Sequence, residues 1–115
     1  MGRECEACIG AWIWAYRRLR DLREEFDRMS VKKEVDWEWV ESELKEVIKP
    51  LLDGVKASCD IPEEKARSID SAFEYALKMV GERDSFHFWD ALLDLDNFLS
   101  NLDDVIANKC QRERR

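Results

Sequence analysis

The stretch from Phe86 to Cys110 constrains the fold of this chain more than any other. Six apolar residues recur in it at steps of three and four, and so share one face of a helix: Phe88, Leu92, Leu95, Leu99, Leu102 and Ile106. Polar residues follow the same period on the roughly opposite side: Asp90, Asp94, Asn97, Asn101 and Asp104. About 25 residues at about 1.5 Å each give a helix of about 37 Å. The pattern predicts an amphipathic helix that runs the height of a small bundle.

Two more amphipathic helices are predicted in the first half of the chain. The first covers about residues 3–29, with Ser30 as its stop and as a cap for the helix that follows. The second covers about residues 33–55. Pro50 lies inside its apolar pattern, lacks a backbone donor and crowds the carbonyl of Glu46. We therefore expect the second helix to be kinked or broken near Pro50.

The third helix has the clearest start signal in the chain. Asp60 can cap it while Glu63 reaches back, and Gly81 ends it. Asp84 or Ser85 then caps the fourth helix, and no strand-like alternation persists anywhere. Four long amphipathic helices joined by short loops predict an all-α fold, namely an antiparallel up-down-up-down four-helix bundle.

Length and charge limit the classes of partner. A chain of 115 residues is expected to form a single helical domain over residues 1–115. Its net charge of −7 predicts that neither duplex nucleic acid nor an anionic membrane is a partner. No apolar run reaches the roughly 18 residues of a membrane span, and the first residues lack the pattern of a signal peptide. The sequence therefore predicts a soluble, cytoplasmic protein.

Four cysteines are predicted to meet at one end of the bundle. Cys5 and Cys8 lie at the start of the first helix, Cys59 lies between the second and third, and Cys110 lies at the end of the fourth. In an up-down-up-down bundle these positions share one pole. The thiols can stay free in the core, pair as one or two disulfides, or bind a tetrahedral metal. Cytosolic disulfides are unusual outside hyperthermophiles, a source that the abundance of Glu, Arg and Lys fits.

Two acidic pairs form a candidate magnesium site. Glu43 and Glu46 are three residues apart on the second helix, and Asp90 and Asp94 are four apart on the fourth, so each pair shares a helix face. If the two faces meet, the carboxylates can hold Mg²⁺ against the phosphates of a nucleotide, where the ion orients an attacking water. The alternative is a set of solvated charges, because a chain with 26 acidic residues produces such pairs by chance.

These carboxylates lie in two short motifs, Glu-Leu-Lys-Glu-Val at 43–47 and His-Phe-Trp-Asp-Ala-Leu-Leu at 87–93. Together with the bundle order, the motifs resemble the MazG-like all-α nucleoside triphosphate pyrophosphatases, which carry a Glu-Glu-x-x-Glu helix followed by a Glu-x-x-Asp helix. The resemblance implies Mg²⁺-dependent release of pyrophosphate from a nucleotide, with Glu43, Glu46 and Asp90 as ligands. Ser42 and His87 stand where the family has glutamates, and imidazole is a poor Mg²⁺ ligand. The implied protein is a pyrophosphohydrolase or a degenerate relative of one.

One arginine and one aromatic face complete the candidates. Arg23 lies among apolar positions of the first helix, where it can reach a phosphate, or alternatively cover apolar surface and pair with an acid. Of the five tryptophans, Trp14 and Trp39 fall off the predicted core faces and form a second apolar face with Ile13. Because aromatic residues are enriched in interface cores, this face predicts a homodimer; a partly covered tryptophan on a monomer is the alternative.

Two functions therefore follow from the sequence. The first is a MazG-like nucleotide pyrophosphohydrolase that uses Mg²⁺. The second is a non-enzymatic helical module whose aromatic face binds a second copy or another protein. The single histidine, His87, is expected to pack or to cap a helix start and not to act as a general base.

Overall fold

The computed structural model describes residues 2–113 of the chain, so Met1, Arg114 and Arg115 of the predicted 1–115 domain lie outside the described residues. Within that range the chain forms four helical segments and no strand, which confirms the all-α prediction. The described chain is elongated, with principal extents of 53 × 22 × 19 Å.

The first segment, α1, spans Arg3–Val31 and ends later than predicted. Ser30 lies inside its last turn, so the prediction that Ser30 stops α1 and caps the next helix is wrong. Lys33 has a left-handed backbone with φ of 58°, which ends the helical register after α1. Asp36 is the actual cap, because its side chain accepts a hydrogen bond of 3.0 Å from the backbone N–H three residues later. The second segment therefore begins at Trp37 instead of residue 33.

The second segment runs without a break through Pro50. It consists of α2 (Trp37–Glu43), a π-helical turn (Leu44–Ile48) and α3 (Lys49–Cys59). At the end of the π turn the N–H of Lys49 donates to the carbonyl of Leu44, five residues back. Because a proline ring crowds the carbonyl four residues before it, the irregular turn directly upstream is where the helix accommodates Pro50.

The third segment, α4, spans Glu63–Gly81 and starts differently from the prediction. Asp60 does not cap it: the residue is left-handed, with φ of 52°, and its carboxylate binds Lys109 instead. Pro62 occupies the cap position, with no side-chain hydrogen bond to the helix. The capping-box prediction is therefore wrong, because a contact from the far end of the chain takes the Asp60 side chain.

The fourth segment is two helices, α5 (Ser85–Ser100) and α6 (Asp103–Glu113), joined by a turn at residues 101–102. Asp84 caps α5 as predicted, by accepting a hydrogen bond of 3.0 Å from the N–H of His87. The turn interrupts the single helix that the periodicity predicts. Asp103 and Asp104 are the first two residues of α6, where their carboxylates interact favourably with the positive end of the helix dipole.

Packing follows the amphipathic pattern. Helix α1 lies against α3, α5 and α6, while α4 lies mainly against α5. All six apolar residues that define the fourth segment are buried, as predicted. All five residues of its polar stripe are exposed. Near the C-terminal end of α1 the rings of Phe26, Trp37 and Phe88 meet with centroids 4.7–6.0 Å apart.

Candidate functional site

The four cysteines come together as two disulfides. Cys5 is bonded to Cys110, and Cys8 is bonded to Cys59, with Cα atoms 4.9 Å apart in both pairs. Cys5 and Cys8 are three residues apart on α1, so both sulfurs leave the same helix face toward the ends of α3 and α6. Cys5, Cys8 and Cys59 are fully buried, and Cys110 is half-buried. Of the three alternatives left by the sequence, the structure has two disulfides.

A buried lysine lies beside this disulfide pole. Lys109 is only 6% exposed, and its Nζ is 2.5 Å from Oδ2 of Asp60 and 3.7 Å from Glu4. The hydrogen bond from Lys109 lowers the pKa of the Asp60 carboxyl below its ordinary value. No local sequence pattern predicts this pair, because its members lie 49 residues apart.

The four carboxylates of the predicted magnesium site take separate positions. Glu43 is half-buried and faces α1, where it lies 3.9 Å from the guanidinium of Arg18. Glu46 is exposed and accepts a hydrogen bond of 3.0 Å from the hydroxyl of Ser42 on its own helix.

On the fourth segment, Asp90 and Asp94 are both exposed. Asp94 lines a shallow groove between α4 and α5, opposite Arg67. Glu43 and Asp94 thus border different helices. Among the side chains that the structure describes, no three carboxylate, imidazole or thiol groups gather in a way that suits a metal ion. The four carboxylates do not form one ligand set in this arrangement, and the Mg²⁺ site stays a prediction.

Arg23, the candidate phosphate ligand, is engaged within the fold. Its Nη1 lies 3.1 Å from Oδ1 of Asp96 on α5, and its guanidinium lies 5.6 Å from the ring centre of Trp89. Side chains of both charged partners are largely covered. This arrangement matches the alternative in which Arg23 covers apolar surface and pairs with an acid. A phosphate would have to compete with Asp96 for the same guanidinium.

His87 takes part in the start of α5. Its Nδ1 lies 2.7 Å from the Asp84 carboxylate, and this hydrogen bond raises the pKa of the imidazole above its ordinary value. Hydrogen bonds from the backbone N–H and the ring of His87 lower the pKa of Asp84. Asp84 is thus the cap of α5, and the His87 side chain binds this cap at the surface instead of capping the helix itself.

One tryptophan stands apart from the other four. Trp12, Trp37, Trp39 and Trp89 all pack against the buried core. Trp39 therefore does not join an outer apolar face, and that part of the prediction is wrong. Trp14 is 57% exposed, and the neighbouring Ile13 is 39% exposed. Val31, the last residue of α1, is also exposed, so Ile13 and Trp14 are the exposed large apolar residues in the middle of that helix.

Comparison with known proteins identifies no relatives. The chain matches no protein-family model, and no curated protein sequence or solved structure is significantly similar to it. The MazG-like resemblance thus depends on its two short motifs and the helix order. Among the helices of residues 2–113, none combines the length and apolar character needed to cross a membrane.

Proposed function

We propose that this protein is a non-enzymatic helical module, linked internally by two disulfides, that binds a second copy of itself through Ile13 and Trp14 on α1. The observation that carries the proposal is the 57% exposure of Trp14, in a chain whose other tryptophans pack on the core. Large exposed aromatic residues are enriched at the centres of protein interfaces, where they contribute most of the binding energy.

The position of Trp14 on α1 supports this role. Both disulfides anchor α1 at Cys5 and Cys8, less than three turns before Trp14. Next to it, the indole N–H of Trp12 donates to the carbonyl of Leu99 at 2.7 Å. After Trp14, the Tyr16 hydroxyl lies 3.0 Å from the Ser100 hydroxyl. The backbone that presents Trp14 is therefore fixed from both sides before any partner arrives. Pre-organisation of this kind reduces the entropy lost on association.

Sedimentation equilibrium over a range of protein concentrations tests the proposal. The native protein is expected to dimerise, and Trp14→Ala is expected to weaken the dimer by about 30-fold, as for an interface hot spot of about 2 kcal/mol. Phe86→Ala is the matched control, because Phe86 is 73% exposed but lies at the start of α5, away from this surface. A native protein that stays monomeric, or an unchanged dimer in Trp14→Ala, would overturn the proposal.

We propose an up-down-up-down bundle as the topology, with a change of axis direction at the π turn. Contacts at the two ends of the helical segments support this order. The disulfides join the start of α1 to the ends of α3 and α6. The ring contacts of Phe26, Trp37 and Phe88 join the end of α1 to the starts of α2 and α5. Successive segments that meet at alternate poles are what such a bundle requires. Spin-label distances between segment ends would test the order.

A Mg²⁺-dependent nucleotide pyrophosphohydrolase is the second candidate. One observation favours it: Glu46 lies within the π turn, and π turns occur often at functional sites. The test is pyrophosphate release from a panel of nucleotides with Mg²⁺, compared with Glu46→Gln and Asp90→Asn. Release that both variants abolish would support an enzyme. Absence of release from every nucleotide, or full activity in both variants, would count against it.

The cytoplasmic location is likewise a proposal. It is compatible with two disulfides where the intracellular environment tolerates them, as in hyperthermophiles, and the high content of charged residues fits such a source. Alkylation of free thiols in intact cells, followed by mass spectrometry, tests the combination. The expected result is a cytoplasmic chain with no alkylated cysteine; recovery of the chain only from an extracytoplasmic fraction would contradict the proposed location.

A further inference from the structure

A cavity of about 500 Å³ opens between α1 and the junction of α5 with α6. Its size falls within the roughly 300–1,000 Å³ typical of small-molecule sites. Besides Ile13, six residues line it: Trp12, Tyr16, Arg17, Arg20, Ser100 and Asp103. Aromatic walls with a few convergent polar groups are the usual composition of a ligand site.

Its positive charge comes from a cluster of arginines on α1. Four arginines occur within seven residues: Arg17, Arg18, Arg20 and Arg23. Glu43 lies close to Arg18, and Asp96 pairs with Arg23. Arg17 and Arg20 are three apart, so they share a helix face. Neither forms an ion pair with any residue in the part of the chain that the structure describes. Within the described part of the chain, the two arginines at the cavity are therefore the members of this cluster that form no ion pair.

The aromatic wall is held in place by hydrogen bonds across the helices. The Trp12 indole N–H donates to the Leu99 carbonyl at 2.7 Å, and the Tyr16 hydroxyl lies 3.0 Å from the Ser100 hydroxyl. The two rings meet edge to face, with centroids 6.4 Å apart. A flat apolar group entering the cavity thus meets rings that are already oriented, and little side-chain freedom is lost on binding.

The charges of the lining define the class of ligand. Two arginines and Asp103 leave a single positive charge at a cavity in a chain of net charge −7. Asp103 is partly occupied, because its Oδ1 accepts the backbone N–H of Asp104 at 2.9 Å. Guanidinium groups bind carboxylates in a planar, bidentate geometry. We propose that this cavity binds a small aromatic carboxylate, with its anionic group at Arg17 and Arg20 and its ring against Trp12 and Tyr16.

The test uses 2-naphthoate as the probe and the indole N–H resonance of Trp12 as the reporter, assigned by its loss in Trp12→Phe. A saturable shift of that resonance is expected. The neutral amide of the same ring is expected to bind at least about tenfold more weakly, because the charge-assisted hydrogen bonds are lost. Absence of a saturable shift from both the native protein and Trp14→Ala, or equal affinity for the acid and the amide, would overturn the proposal.

Variants locate the site. Arg17→Gln and Arg20→Gln are each expected to weaken binding by about tenfold, whereas Asp103→Asn should strengthen it by removing the one negative charge of the lining. Arg28→Gln is the matched control, because Arg28 is exposed on the same helix, lies outside the cavity and undergoes the same loss of charge. An equal effect of Arg28→Gln would show general charge attraction and refute the site.

The inference goes beyond the proposed self-association, although Ile13 belongs to both surfaces. Trp14 does not line the cavity. Titrations are therefore repeated in Trp14→Ala at a protein concentration where sedimentation shows a monomer, so that no second copy covers the opening. Binding in Trp14→Ala supports the site whatever the oligomeric state, and absence of binding there overturns it without bearing on the dimer.

Discussion

Replacing the Cys8–Cys59 pair by alanine should destabilise the protein by about 4 kcal/mol from chain entropy. This disulfide links residues 51 apart, and the loop-closure relation gives about 4 kcal/mol for a loop of that length. Cys5–Cys110 links residues 105 apart, for which the relation gives about 5 kcal/mol when it acts alone. The two loops are nested, however, and their contributions do not simply add.

With Cys8–Cys59 intact, the second bridge closes a much shorter circuit. That circuit runs through the few residues between Cys5 and Cys8 and the segment from Cys59 to Cys110, roughly 54 residues in all, so the expected loss is again about 4 kcal/mol. Removal of both bridges should remove about 8 kcal/mol. A chain of 115 residues has a total stability of about 6–17 kcal/mol at 0.05–0.15 kcal/mol per residue, so the reduced protein should be marginal.

The two disulfides differ in how deeply their cysteines are buried. Cys8 and Cys59 both belong to the buried core cluster, whereas Cys110 is half-buried. Truncation of Cys8 and Cys59 to alanine leaves small cavities in addition to the lost cross-link. The Cys8→Ala/Cys59→Ala variant should therefore unfold more easily than a variant that lacks the other bridge.

Urea unfolding followed by circular dichroism measures these differences. At a slope of about 2 kcal/mol per molar urea, a loss of about 4 kcal/mol lowers the midpoint by about 2 M. The slope itself should rise when a bridge is removed, because the unfolded chain then exposes more surface. A midpoint that reductant leaves unchanged would refute the reasoning, as would four alkylated thiols in the native protein before any reduction.

Three further perturbations test the described contacts. Trp12→Phe keeps an aromatic ring but removes the indole donor to the Leu99 carbonyl, which still accepts from the N–H of Leu102 at 3.2 Å, so calorimetry should show a loss of about 1 kcal/mol. In Asp84→Asn, proton NMR should show the pKa of His87 fall toward 6.5. The native Asp84–His87 pair stabilises the protein below pH 6.5, and this stability is lost as pH rises through the raised His87 pKa; the variant should lack it. Lys109→Met should return the pKa of Asp60 toward 3.8. The native protein loses stability as pH falls through the lowered Asp60 pKa, and the variant should lack this contribution, which acid titration of unfolding checks.

Helix positions could be predicted from the sequence because they depend on a local period. Every apolar residue that defined the fourth segment is buried, and every residue of its polar stripe is exposed. Helix ends were less predictable, because several side chains compete for each cap. Asp60 has the right type and spacing to cap α4, yet Lys109 takes its carboxylate from 49 residues away. A tertiary contact of that kind leaves no mark in the local pattern.

For the candidate sites, too, the sequence predicted what depends on helix order and spacing but not what depends on which helix faces meet. Convergence of the four cysteines followed from helix order, but the choice of partner for Cys5 and for Cys8 depends on how α1 is rotated against α3 and α6. Spacing likewise defines carboxylate pairs along a helix and says nothing about which helices face each other. Glu43 thus turned to α1 and Asp94 to α4. The cavity had one usable signal, the run of four arginines, but the sequence does not reveal which two remain without an acid.

Helix α1 connects the structural and the functional proposals. It is covalently attached to α3 and α6 at one end and enters the aromatic cluster through Phe26 at the other. Between these anchors its outer side carries Trp14, Arg17 and Arg20. A surface held at both ends has little conformational freedom to lose on binding, so a modest apolar and charged patch can bind tightly. It follows that reduction of the disulfides should weaken self-association and carboxylate binding together, even where α1 remains helical, because both depend on the same fixed backbone.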